Sequence, residues 1–193
     1  AVDGLVVAHA GIGDPVRPDA AVSIARLREQ GWAVKILSGD APSVVRSVGA
    51  AVGVAEDACT GASTPEAKRQ AVEAARAHGA VVMVGDGVND AAAMAAASVG
   101  IGVHGGAEAC LASADVYLTQ PGLDALVRLT EGARRTLRVI KRNVAFSLAY
   151  NVVGASLAMT GRLTPLAAAI LMPASSLTVV LASWRSRTFG KES

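Results

Sequence analysis

The segment Gly85-Asp86-Gly87-Val88-Asn89-Asp90 sets two carboxylates and a carboxamide among glycines that let the backbone turn tightly and approach a ligand. Asp86 and Asp90 offer the hard oxygen ligands that Mg²⁺ takes, and Asn89 can orient a carboxylate or a phosphate. Taken alone, such a turn is equally a loop in which Asp caps a helix and Gly serves the geometry. Spacing favours chemistry. Ser38-Gly39-Asp40 follows an apolar run in the same way, and Lys68 follows Pro65-Glu66 at the start of the helix leading into the Asp86 strand. A metal to bridge oxygens, a cation to absorb transition-state charge, and donors such as the Ser38 hydroxyl and the Gly39 amide form the inventory of phosphoryl transfer. A Gly-x-x-x-x-Gly-Lys-Ser/Thr loop is absent, and neither Asp14 nor Asp40 lies in an Asp-x-Thr-Gly or Asp-x-Asp context, so the attacking carboxylate is missing from these residues.

These turns need strands behind them. Leu5 to Ala8, Trp32 to Leu37, Ala80 to Val84, Val99 to Val103 and Val116 to Thr119 are short, nearly continuous apolar runs, as expected of strands covered on both faces. Between them, Asp19 to Gln30 repeats Ala21, Ile24 and Leu27 at helical spacing before Gly31, and Thr64-Pro65 opens a second helix that Gly79 closes. The alternation predicts an α/β fold with a doubly wound parallel sheet, in which ligands sit beyond the carboxyl ends of the strands.

Composition divides the chain. Of 193 residues, 52% are hydrophobic and 18% charged, which excludes disorder and points to a membrane part. From Val144 to Gly161 run 18 uncharged residues and from Leu163 to Trp184 another 22, with Arg162 between them. Each run approaches or exceeds the roughly 20 residues that a helix needs to cross a bilayer. Arg134, Arg135, Arg138, Lys141 and Arg142 precede the pair, and Arg185, Arg187 and Lys191 follow it, so both outer ends are expected in the cytoplasm. The expected organisation is a domain over 1–133, then over 134–193 a basic linker and a transmembrane hairpin with spans at about 138–160 and 163–184. The basic stretch suits lipid head groups, with docking of a partner protein as its alternative use. A net charge of +2 argues against nucleic acid. Cys59 and Cys110 give no disulfide scaffold, His9, His78 and His104 show no ligating spacing, and no signal peptide is visible.

Polar groups within the spans are candidates for an ion path. Tyr150-Asn151 lies mid-span in the first helix. In the second, Met172 and Ser176 share a helical face beside Pro173, and a thioether is a soft ligand that suits Cu(I). The other reading of these groups is interhelical packing and hydrogen bonding.

The chain resembles the P-type ATPases, and within them the heavy-metal-transporting branch. Gly13-Asp14-Pro15-Val16-Arg17-Pro18, Leu37-Ser38-Gly39-Asp40, Thr64-Pro65-Glu66-Ala67-Lys68 and Val84-Gly85-Asp86-Gly87-Val88-Asn89-Asp90 are similar, in order, to that family's phosphorylation-domain signatures. The resemblance implies a haloacid-dehalogenase-like domain followed by the last two membrane helices of a pump, with the phosphorylated Asp and the nucleotide domain upstream of Ala1. It implies Asp86 as a Mg²⁺ ligand supported by Asp90 and Asn89, and Lys68 in contact with the aspartyl phosphate. It further implies Ser38, Gly39 and Asp40 around the phosphoryl group and hydrolytic water, and Asp14 and Arg17 near ATP and a hinge. Tyr150-Asn151 with Met172-x-x-Ser175-Ser176 is similar to the copper(I) subgroup, and silver, equally soft, fits the same ligands. The implied protein is an integral membrane pump of the bacterial plasma membrane whose partners are the rest of the pump and lipids, with a copper chaperone as the alternative partner of the basic stretch. Ser38 where Thr is usual, and Ala91-Ala92-Ala93-Met94 for Ala-Pro-Ala-Leu, are its departures. A membrane-tethered phosphatase and a non-catalytic regulatory fragment are the alternatives.

Overall fold

The computed structural model describes residues 15–86, 88–105 and 113–186. The chain divides into two compact units, Ala1–Val127 and Arg128–Ser193. The predicted strand Leu5 to Ala8, together with Asp14, His9 and Cys110, lies outside the described residues.

In the first unit, helix α1 (Ala20–Glu29) buries Ala20, Ser23, Ile24 and Leu27. Ile24 and Leu27 lie on the buried face as expected, whereas Ala21 is exposed and Ala20, one turn before Ile24, takes the first position. Gly31 ends the helix as expected, adopting φ +87 while its amide donates to the Arg28 carbonyl. Strand β1 (Ile36–Leu37) is shorter than the apolar run from Trp32 suggests. Helix α2 (Pro42–Ala51) then leads to strand β2 (Cys59–Thr60), which pairs parallel to β1 with Ile36 opposite Cys59. The sequence does not announce β2, since two residues of strand carry no periodicity.

Helix α3 (Pro65–Arg76) begins where Thr64-Pro65 predicts, with the Thr64 hydroxyl accepting from the Ala67 amide. Strand β3 (Val82–Gly85), a short 3₁₀ turn (Val88–Asp90), helix α4 (Ala91–Ala96) and strand β4 (Val99–Gly102) follow. Strand β5 (Val116–Tyr117) completes a parallel sheet of order β3-β4-β5. Among the described residues the strands thus form two parallel ladders, β1-β2 and β3-β4-β5, in place of the expected single sheet. Each has its own apolar cluster. Ala20, Ile24, Val52 and Val54 close over Val34 and Ile36, and Val72, Ala93 and Ala97 close over Val81 and Met83.

Helix α5 (Asp124–Met159) is 36 residues long and proline-free, about 54 Å at about 1.5 Å per residue. The expected basic linker is therefore part of this helix. At about 100° per residue, Arg134, Arg135, Arg138, Lys141 and Arg142 share an arc of about 120°, which leaves the charges solvated without interrupting the helical ladder. The division between the units also comes earlier than expected, at Val127/Arg128.

In the second unit a turn closed by Gly161 at φ +67 reverses the chain. Thr164 caps helix α6 (Pro165–Arg185) through the Ala167 amide. The two helices are antiparallel, since Asn143 Nδ2 donates to Ser183 Oγ at 2.7 Å and the Tyr150 hydroxyl donates to the Leu171 carbonyl at 2.7 Å. Among the described residues only α6 is, by itself, long and apolar enough to cross a membrane, with a mean hydropathy of 1.9. In α5 the apolar stretch stops at Met159, where the helix ends.

Candidate functional site

Hydrogen bonds tie the Ser38-Asp40 loop to the segment before α3, and an ion pair ties α3 to the turn after β3. The Ser38 amide donates to the Thr60 carbonyl at 3.0 Å, and the Ser38 carbonyl accepts from the Ser63 amide at 2.9 Å. The Asp40 carbonyl accepts from the Ala62 amide at 2.7 Å. The loop after β1 is thereby fastened to the residues that lead into α3. Gly61 is required there, because a Cβ would lie 2.6 Å from the Pro42 Cα and 2.9 Å from the Asp40 carbonyl oxygen. Ala62 takes the left-handed conformation at φ 50, a strained choice for a residue with a Cβ. Within the loop, the Ser38 hydroxyl donates to Asp40 Oδ2 at 2.8 Å and accepts from the Asp40 amide at 3.2 Å. Ser38 is half-buried, and Gly39 and Asp40 are exposed.

From α3, Lys68 Nζ reaches Asp90 Oδ1 at 2.8 Å, and each side chain keeps only 11% of its surface exposed. Asp90 sits in the turn after β3, and Gly85 at the end of that strand lies directly beneath it. A Cβ on Gly85 would stand 2.6 Å from the Asp90 Cβ and 3.0 Å from its Oδ2. Asp86 and Asn89 are exposed on the same turn, as is Arg17 ahead of α1. The structure thus brings Lys68 onto Asp90, and separately ties Ser38 and Asp40 to the Thr60–Ser63 segment that leads into α3.

The α3 motif has a second charged feature. Arg69 grips Glu66 with Nε at 3.0 Å and Nη2 at 2.7 Å, and also bonds Glu73, while Gln70 donates to Glu66 at 2.8 Å. The hydrogen bonds from Arg69, then Gln70, hold the Glu66 carboxyl down to about 2, and Glu66 in turn raises Arg69. A carboxyl lowered in this way stabilises the fold fully above its ordinary value of 4.5 and loses that contribution as pH falls toward about 2. The melting temperature should therefore fall more steeply across this window in the parent chain than in Glu66→Gln. Parallel curves would remove Glu66 from the acid response.

Mg²⁺ keeps several waters and takes one or two carboxylates plus phosphate oxygens, so it does not need an all-protein cage. Among the described residues no three His, Cys, Asp or Glu side chains cluster as a cage would require. The hard carboxylate of Asp86, exposed just after the end of β3, suits that open mode of binding.

Residues 2–98 match the family model of haloacid dehalogenase-like hydrolases. This chain belongs to that family. Over 99% of its length it is 35% identical to a protein of Mycobacterium tuberculosis named cation-transporting P-type ATPase B. Over 98% it is 36% identical to the probable copper-exporting P-type ATPase V of the same organism. The chain spans about a quarter of the length of these curated relatives. Among solved structures, a zinc-transporting PIB-type ATPase in its E2.Pi state superposes with a TM-score of 0.84 at 31% identity, covering 89% of this chain and 28% of that one. The α/β reading and the haloacid-dehalogenase-like assignment hold for this family member.

The predicted ion-path residues lie in the second unit. Tyr150 is half-buried, stacked at a tilt on Phe146 with 6.4 Å between ring centres, and its hydroxyl is engaged by Leu171. Ser176 lines an open cleft of about 290 Å³ with Phe146, Ser147, Ser175, Val179 and Val180. Asn151 is exposed. The side chain of Met172 lies outside the described atoms, although its backbone belongs to α6 next to Pro173. His78 and His104 are exposed, consistent with surface positions.

Sequence reasoning missed Gly85 as the floor beneath Asp90, the Gly61-Ala62 fastening of the Asp40 loop, and the partners of Asp19. The first had a partial signal, a glycine immediately beside an acidic turn, and the second had none, because Gly61 and Ala62 stand between Thr60 and Ser63. The third had none, because its partners are more than a hundred residues away in the chain.

Proposed function

We propose that this chain is part of a membrane pump that exports Cu(I) through an ATP-driven aspartyl-phosphate cycle. The observation that carries the reading is the shielded Lys68–Asp90 pair in a chain that aligns along 99% of its length with a cation-transporting ATPase. The chain supplies the Mg²⁺-binding half of the phosphorylation site, and the reacting Asp comes from another part of the pump. Lys68 presents its cation to the phosphorylated carboxylate. The Ser38 hydroxyl and the Gly39 amide hold phosphoryl oxygens, and Asp40 orients Ser38 and the hydrolytic water. Asp86, with Asp90 and Asn89 in support, holds Mg²⁺, which when bound offsets the charge on the phosphate oxygens. Asp14 and Arg17 belong near ATP and the hinge.

The apolar part of α5 and the whole of α6 form the transmembrane hairpin. The Asn143–Ser183 bond sets Lys141 and Arg142 level with Trp184 and Arg185, an aromatic and cationic band of the kind found at a cytoplasmic interface. The basic arc of α5 then meets anionic head groups, a partner class that suits the bacterial plasma membrane. Its alternative partner is a copper chaperone. Tyr150, Asn151, Met172 and Ser176 form part of the ion path. No Asp or Glu occurs from Pro165 to Arg185, so α6 provides no carboxylate for a divalent ion, whereas a thioether suits Cu(I) and equally Ag(I).

The test is phosphoenzyme formation from ATP by the pump that carries this chain, with Cu(I), Ag(I) or Zn(II) added under reducing conditions. Stimulation by Cu(I) and Ag(I) is expected. Stimulation by Zn(II) alone would overturn the ion assignment. Hydrolysis of small phosphates without metal stimulation would favour the tethered phosphatase, and the absence of any phosphoenzyme the regulatory fragment.

A further inference from the structure

Asp19 stands at the position that caps α1, yet its carboxylate makes no hydrogen bond to its own helix. Instead Oδ2 accepts from the Leu123 amide at 2.6 Å and from the Asp124 amide at 3.1 Å, capping the first turn of α5 from 104 residues away in the chain. Asp is among the strongest N-cap residues, and a carboxylate on these amides also meets the positive end of the helix dipole. Gly122 makes the approach possible. It adopts φ +97, and a Cβ there would lie 2.5 Å from Asp19 Oδ2. Two turns further along α1, Arg26 pairs with Asp124 at 3.1 Å. Leu123 packs on the Ala20, Ile24, Val52 and Val54 cluster, and Val127 is fully buried. One face of α1 therefore holds the start of α5 through a cap, an ion pair and an apolar contact.

We infer that Asp19 is a positioning residue that couples the phosphorylation site to the ion path. It immediately follows the Asp14-to-Pro18 segment, and the helix that it caps carries Tyr150 and Asn151 farther along. With no proline in α5 to absorb a displacement, a shift of α1 is passed to the first turn of α5 through the Asp19 cap and the Arg26–Asp124 pair beside it. This inference rests on the pump reading above.

The test compares Asp19→Ala and Asp19→Asn in the full-length pump, measuring phosphoenzyme formed from ATP and metal-stimulated turnover on the same preparations. Asp19→Ala should lower turnover per phosphoenzyme about tenfold, and Asp19→Asn, an equally good cap, should stay within about twofold of the parent. Amide exchange at Leu123 and Asp124 should accelerate about tenfold in Asp19→Ala alone. Arg26→Gln, which keeps the cap and removes the ion pair, should shift the same ratio in the same direction, and supplies the answer if Asp19→Ala does not accumulate. An unchanged ratio in Asp19→Ala, an Asn variant as impaired as the Ala variant, or, where Asp19→Ala does not accumulate, an unchanged ratio in Arg26→Gln overturns the coupling role. A parent pump that forms no phosphoenzyme defeats the underlying reading instead.

Discussion

Replacing Lys68 with alanine is expected to destabilise the folded chain by about 3 kcal/mol and, in the proposed pump, to abolish phosphoenzyme turnover. The first effect follows from the surroundings of Asp90, whose side chain is only 11% exposed and whose Oδ1 lies 2.8 Å from Lys68 Nζ. Removing one member of a buried pair leaves a desolvated charge, a loss of about 3–5 kcal/mol, and the residual exposure here places the value at the lower end. A solvated surface bridge would be worth less than about 1 kcal/mol. Denaturant unfolding in detergent discriminates the two. A loss below about 1 kcal/mol would show that the pair is wet and that Asp90 needs no cation. The double variant Lys68→Ala/Asp90→Ala should cost less than the sum of the single variants, because neither charge is then stranded.

Gly85→Ala should be nearly as damaging, although it adds only one methyl group. The new Cβ would meet the Asp90 Cβ at 2.6 Å and Oδ2 at 3.0 Å, so the acidic turn must move. Overpacking of this kind costs about 1–3 kcal/mol. Displacing Asp90 also breaks its bond to Lys68 and moves the carboxylates of the turn, which in the proposed pump should lower turnover by about 100-fold. Because both changes act on the same pair, combining Gly85→Ala with Lys68→Ala should add little beyond the larger single effect. Full additivity, or a Gly85→Ala chain with parent stability, would mean that the turn is not held against the strand end.

The contrast between these two positions shows how sequence and structure divide the work. Lys68 is visible in the sequence, because a cation at the start of a helix leading into an Asp-Gly turn has few structural uses. Gly85 reads in the sequence only as a residue that loosens the backbone, and its role as the floor under Asp90 depends on where the turn folds back. The strand ends at Leu37 and Gly85 and the start of α3 are legible because apolar runs stop at Gly, Ser, Asp or Thr-Pro signals. The pair Cys59-Thr60 is not, since a two-residue strand is defined by its ladder to Ile36-Leu37 and not by any local preference.

The basic stretch from Arg134 to Arg142 makes the same point at longer range. Composition separates it from the apolar run after Asn143, and the charge reads as a boundary. In the structure both lie in α5, because arginine, lysine, leucine and alanine are all good helix formers and no proline intervenes.

By itself the sequence determined the α/β alternation, the acidic turns with their lysine, the two apolar runs and the absence of a carboxylate in the last helix, since each of these is local in the chain. Only the tertiary structure decided that Lys68 closes on Asp90, that Gly61 and Ala62 fasten the Ser38-Asp40 loop, and that Asp19 caps a helix other than its own. These are contacts between residues brought together by packing, whose energies depend on burial and on close approach, and no spacing along a chain encodes either.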